Sequence, residues 1–160
     1  MTILIIGSGG REHAIGRAIA AHNDIPLVFA PGNAGTKDIG TNVSIAANDI
    51  TGLLEYAKNQ NITLTIVGPE DPLVLGNYDV FAEHNLPIIG PSQTAAQLEG
   101  STQWAKELMK EYDIPTAHFE VFTDYDDARN YLINKDTYPI VIKADGLAAG
   151  KGVTVAQEES

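Results

Sequence analysis

The chain has 160 residues, enough for one full-sized domain, or one domain and part of another, with a core that stands without disulfides. It contains no cysteine, which excludes thiolate catalysis, cysteine-ligated zinc and thiol redox chemistry. Ten Lys and Arg stand against 21 Asp and Glu, and the net charge of −11 argues against nucleic acid as a partner, because it repels polyanions at long range.

The opening run, MTILIIG, is too short for a membrane span and lacks the basic start and cleavage site of a signal peptide, so the reading is a cytoplasmic protein with no membrane partner. Within it, residues 2–6 form a continuous apolar strand that ends at Gly7. A helix follows, with Ala14, Ile15, Ala18 and Ile19 at helical spacing. The unit repeats as PLVFA at 26–30, a helix near 49–60 with Ile50, Leu53, Leu54 and Ala57 on one face, and TLTIV at 63–67. A further helix around Asp79–Asn85 precedes the short run PIIG. Strands that alternate with helices, and are apolar throughout, predict a parallel sheet covered on both faces.

From Gly100 the pattern changes. STQWAKELMKEY reads as a helix with Trp104, Leu108 and Tyr112 on one side, ended by Pro115. HFEVF at 118–122 reads as a strand and TDYDDARNYLI as a helix capped by Thr123 or Asp124. PIVIK and VTVA read as strands flanking a glycine-rich loop, so the expected second sheet has three strands with Val153–Ala156 at its edge. The expected organisation is an α/β domain over 1–100, a connecting helix and linker over 101–117, and the start of a second, incomplete domain over 118–160.

Three motifs carry chemistry. GSGGREH at 7–13 leaves a strand and opens a helix, where free backbone N–H groups suit a phosphate and Arg11 and His13 add charge and hydrogen bonding. A dinucleotide fingerprint would place a third glycine where Glu12 stands and an acid after the second strand, where APGNAG follows instead, so the pattern argues against NAD. GPEDPL at 68–73 also follows a strand, and its prolines stiffen a loop carrying Glu70 and Asp71; a solvated acidic turn would read the same way. PGNAG at 31–35 is turn chemistry, since glycine and asparagine favour turns for conformational reasons alone. In KADGLAAGKGV the spacing of Gly146, Gly150, Lys151 and Gly152 does not match a P-loop, and the segment joins two strands. That makes it a hairpin flap whose backbone amides approach a polyphosphate, with Lys143 at its base supplying positive charge.

Taken together, GSGGREHA, APGNAGT, TIVGPEDPLVLG, AAQLEGS and IVIKADGLAAGKGV resemble, in order and spacing, the N-terminal part of the phosphoribosylamine–glycine ligase family within the ATP-grasp superfamily. The resemblance implies a Rossmann-like pre-ATP-grasp domain followed by part of an ATP-grasp lid subdomain. It also implies an ATP-dependent carbon–nitrogen ligase of purine biosynthesis acting on 5-phosphoribosylamine, glycine and ATP. Gly9, Gly10, Arg11, Glu12, His13 and Glu70 would form the phosphoribosylamine site. Lys143, Gly146, Gly150, Lys151 and Gly152 would hold ATP phosphates. Magnesium ligands would lie in further sequence, so no metal ligand is expected here and the chain alone is expected to be inactive. The family usually reads Gly-Ser-Lys where this chain has Gly100, Ser101 and Thr102, which leaves Lys106 as the stand-in for a nucleotide-contacting lysine. The competing reading is a free-standing ribose-phosphate or nucleotide-binding module without catalysis.

Overall fold

The computed structural model describes residues 1–147 and 151–158. The chain divides into two compact units, Met1–Gln97 and Leu98–Ser160.

In the first unit, β1 (Ile3–Gly7) leads into α1 (Gly10–Ala20), then β2 (Leu27–Pro31), a 3₁₀ turn (Gly35–Asp38) and β3 (Thr41–Asn42). The chain continues through α2 (Ile50–Asn59), β4 (Leu64–Val67), α3 (Glu70–Val74), α4 (Asn77–Glu83) and β5 (Ile88–Ile89), and α5 (Gln93–Gly100) then crosses the boundary after Gln97. The five strands form one parallel sheet in the order β3-β2-β1-β4-β5.

Apolar runs become central strands because both faces of the sheet are covered. Leu4 and Ile6 of β1 pack with Leu53, Ala57, Leu73 and Phe81 from the helices on one side. Ile3 and Ile5 pack with Phe29, and against Ile15 and Ile19 of α1, on the other. All four β1 side chains are buried, each contributing roughly 1.5–3 kcal/mol relative to exposure. The α2 helix begins where Asp49 accepts a hydrogen bond from Gly52 N at 3.0 Å, an N-cap that satisfies one orphan amide.

In the second unit, α6 (Thr102–Glu111) and α7 (Tyr125–Ile133) precede an antiparallel hairpin of β6 (Ile140–Lys143) and β7 (Val153–Ala156). Asp124 accepts from the amides of Asp126 and Asp127 and caps α7, as one of the two expected caps.

Two expectations change. Residues 118–122 are not a strand, and the second sheet has two strands among the described residues. No described strand runs alongside HFEVF, and β-propensity without a ladder partner does not make a strand. The GPEDPL segment is not a loop throughout: Pro69 caps α3, and Glu70, Asp71 and Pro72 form its first turn, where proline's missing N–H costs no intrahelical bond.

Candidate functional site

The strand order turns back at β1: the chain proceeds outward through β2 and β3, then returns to the other side of β1 for β4 and β5. Loops leaving the carboxyl ends of β1 and β4 therefore diverge, and a cleft opens between them. Its volume is about 510 Å³, and it is lined by residues 7–12, 46–48 and 69–71. Register places the motifs here. Ile6 pairs with Val67, so Gly68 follows beside Gly7, and the Gly68 amide extends the ladder to Ile6 O at 3.0 Å.

Arg11 and Glu12, adjacent at the start of α1, reach the β4 loop in different ways. The Arg11 guanidinium donates to the Gly68 carbonyl and lies 3.8 Å from the Glu70 carboxylate. Both side chains are exposed, 63% and 43%, and such pairs contribute only about 0–1 kcal/mol. Arg11 is thus held over the cleft yet gives up its partner cheaply. Glu12 is only 3% exposed, and its Oε2 accepts from Gly9 N at 2.6 Å. This is the glutamate half of a capping box, with the negative charge at the positive end of α1. Its side chain fills the space between the two loops. A Cβ on Gly7 would lie 2.7 Å from Glu12 Cδ, and one on Gly68 would overlap the carboxylate.

His13 does not line the cleft; its ring packs against Gly35, where an added Cβ would come within 2.6 Å of Cε1. The site candidates 9–12 and Glu70 thus share one cleft, and His13 joins α1 to the turn after β2. Residues 46–48, small and without charge, carry no signal that sequence reasoning can use.

The second unit has its own groove of about 780 Å³, lined by Thr102, Lys106, Phe119, Tyr131, Lys135, Lys143 and Asp145 among others. Lys143 ends β6 opposite Val153, and Ala144 N donates to Gly152 O at 2.8 Å, which closes the base of the hairpin. Gly146 and Gly152 both have positive φ, +105° and +72°. Lys151 is exposed, and Gly150 lies outside the described residues. Lys106 Nζ donates to Thr116 Oγ1 and stands 5.8 Å from the Phe119 ring centre. It is held toward 116–119 while still lining the groove with Lys143.

Asp145, which drew no comment in the sequence, ties this hairpin to α6. Its carboxylate accepts from Gln103 N at 3.0 Å and Ser101 Oγ at 2.9 Å, while Ser101 Oγ accepts from Trp104 N. These bonds, led by that from Gln103, hold the carboxyl below its ordinary value of 3.8 despite some desolvation. A carboxylate lowered in the folded chain contributes stability above its unfolded value and loses it as pH falls through the folded one. The Asp145→Asn variant is therefore expected to lower the thermal midpoint reported by Trp104 fluorescence at pH 7. The gap should close at pH well below 3.8, where wild type is also neutral. The change is small because the group is exposed; a gap that persists unchanged into acid would contradict the ionised cap.

A family model described as phosphoribosylglycinamide synthetase, N domain, matches residues 1–99, and one described as phosphoribosylglycinamide synthetase, ATP-grasp (A) domain, matches residues 100–160. The chain is 55% identical over 159 residues to phosphoribosylamine–glycine ligase of Vibrio vulnificus strain YJ016, covering 98% of this chain and 37% of that protein. It is 54% identical over 161 residues to the protein of that name in Allochromatium vinosum, covering 99% and 37%. The crystal structure of phosphoribosylamine–glycine ligase from Thermotoga maritima superposes with a TM-score of 0.77 at 36% identity, covering 99% of this chain and 36% of that one. N5-carboxyaminoimidazole synthetase from Staphylococcus aureus, complexed with ADP, superposes at 0.78 with 19% identity over 99% and 42%, which shows a shared fold alone. The chain spans a little over a third of the length of the curated relatives it matches.

Proposed function

The chain belongs to the phosphoribosylglycinamide synthetase family, and from that premise we propose that it supplies the phosphoribosylamine site and part of the ATP site of an ATP-dependent ligase joining glycine to 5-phosphoribosylamine. The observation that carries the reading is the convergence of the Gly9–Glu12 turn and Glu70 on one cleft at the sheet's switch point.

In this reading the phosphate of phosphoribosylamine sits on the Gly10 and Arg11 amides and the Arg11 guanidinium, the donors that a helix N-terminus offers an anion. Glu70 accepts from the ribosyl amine or a ribose hydroxyl. Residues 1–100 are the substrate-binding domain, 101–117 the connecting helix and linker, and 118–160 the start of the ATP-grasp lid. Lys143, Lys151 and the hairpin amides neutralise ATP phosphates, and Lys106 is the further candidate in the same groove. A glycine carboxylate oxygen attacks the γ-phosphorus and ADP departs, leaving glycyl phosphate. The ribosyl amine attacks the acyl carbon, the new C–N bond forms, phosphate leaves, and the amine loses a proton. Catalysis of this kind is mostly positioning and charge neutralisation. Magnesium commonly accompanies ATP in such chemistry, but among the described residues no group of three or more His, Asp or Glu side chains is placed to hold a metal.

The test is ADP release by the full-length protein. Release that depends on both glycine and phosphoribosylamine is expected. Binding of ribose 5-phosphate without glycine-dependent release would favour the binding module and overturn the ligase.

A further inference from the structure

The PGNAG segment, readable as a plain turn, does more than reverse the chain. Register pairs Gly7 with Pro31, so the loops leaving β1 and β2 run side by side, and Gly32 N extends the ladder to Gly7 O at 3.1 Å. The Asn33 side chain then crosses between them. Its Nδ2 donates to Ser8 O at 2.9 Å and Gly9 O at 3.3 Å, while its Oδ1 accepts from Gly35 N at 2.9 Å and Thr36 N at 3.1 Å. With donors on one side and acceptors on the other, only one orientation of the amide satisfies all four contacts. Asn33 is itself anchored: Asn42 Nδ2 donates to its carbonyl at 2.7 Å, and the fully buried Thr36 hydroxyl accepts from its amide at 2.8 Å.

In a trans peptide the C=O and the following N–H point in opposite directions. Fixing Ser8 O on Asn33 sends Gly9 N–H to the other side, where Glu12 takes it at 2.6 Å. Gly9 O accepts from Asn33 Nδ2 and, as the first acceptor of α1, from His13 N, each at 3.3 Å; the two together turn Gly10 N–H away, and Gly10 lines the cleft. That amide has no protein partner among the described residues. Two side chains from different parts of the fold therefore grip one peptide pair from opposite sides and leave the next donor pointing outward.

We propose that Asn33 is a positioning residue for the phosphate of the phosphoribosyl ligand: it touches no substrate, and it aims the Gly10 amide by holding the carbonyls behind it. The proposal rests on the reading of this cleft as the phosphoribosyl site. Asn33→Ser removes the two carbonyl contacts without adding charge. Asn33→Asp keeps the acceptor toward Gly35 and Thr36 but sets a carboxylate against the Ser8 and Gly9 oxygens, which rotates the peptides.

The experiment titrates ribose 5-phosphate into the full-length protein by calorimetry and measures the KM for ATP in the same preparations. Both variants should bind ribose 5-phosphate roughly tenfold or more weakly, the scale of one lost hydrogen bond to an anion, with the ATP KM unchanged. The Asn33→Ser loss should persist at high salt, which separates positioning from charge repulsion. Folded variants with unchanged ribose 5-phosphate affinity overturn the role of Asn33 and leave the site standing. Equal losses for both ligands make Asn33 a general support of the fold and overturn the proposal. Wild-type protein that does not bind ribose 5-phosphate overturns the site itself, and the role of Asn33 with it.

Discussion

Replacing Gly7 with alanine is expected to lower the stability of the N-terminal unit by about 2–6 kcal/mol, the sum of a strained backbone and an overfilled contact. Gly7 has φ of +125°, a region that L side chains rarely adopt. Its new methyl would meet Glu12 Cγ and Cδ at 2.7 Å. Glu12 has no room to retreat, because Gly68 closes on its carboxylate from the other side and the side chain is almost fully buried. Moving it would also release the Gly9 amide and loosen the turn. Gly10 supplies the control: a Cβ there meets nothing within 4 Å, and alanine is the better helix former. Gly10→Ala should hold or slightly raise stability while weakening ribose 5-phosphate, since Gly10 lines the cleft and the methyl takes up space beside its amide. Urea unfolding followed by far-ultraviolet circular dichroism checks both. A Gly7→Ala protein within 0.5 kcal/mol of wild type, a typical surface change of about that size, would show that Glu12 is not clamped between the loops.

Arg11→Ala should weaken the phosphoribosyl ligand by about 10- to 100-fold, because a charge-assisted hydrogen bond is worth roughly 1.5–3 kcal/mol. The structure makes the loss specific. Arg11 is exposed and its ion pair with Glu70 is long, so stability should hardly change when it is removed. Arg11→Lys keeps the charge and loses the planar fork that reaches the Gly68 carbonyl and an anion together, so an intermediate affinity is expected. Calorimetric titration of the full-length protein with ribose 5-phosphate and, separately, with ATP gives the answer. Equal losses for the two ligands, or none for either, would remove Arg11 from the phosphate site.

Glu12 and His13 show how far a sequence motif carries. Both belong to GSGGREH, yet Glu12 is spent on Gly9 inside the loop and His13 packs on Gly35. Gly10 and Arg11 present open donors to the cleft, with Glu12's flank beside them. The motif marks a glycine-rich turn at a helix N-terminus, a place that suits an anion; which of its side chains face outward depends on what the neighbouring strands bring alongside.

The sequence by itself determined the central strands, the helices between them and the positions of the loops that end β1 and β4, because burial on both faces of a parallel sheet demands runs of apolar residues and helical stripes that are local properties of the chain. The hairpin around Lys143 was legible for the same reason, as two apolar runs about a glycine-rich loop. The tertiary structure alone decided the two-residue strand β3, too short for any period to show, and left 118–122 without a described partner to pair with. It also decided the work of Asn33 and Asp145, whose side chains bond residues 24 to 25 and 42 to 44 positions away. Propensity at such a position reports only a turn or a loop. The partner is chosen by strand register and hairpin closure, which arise from packing over the whole unit, and so the residues that hold the candidate sites in shape become visible only once the chain is folded.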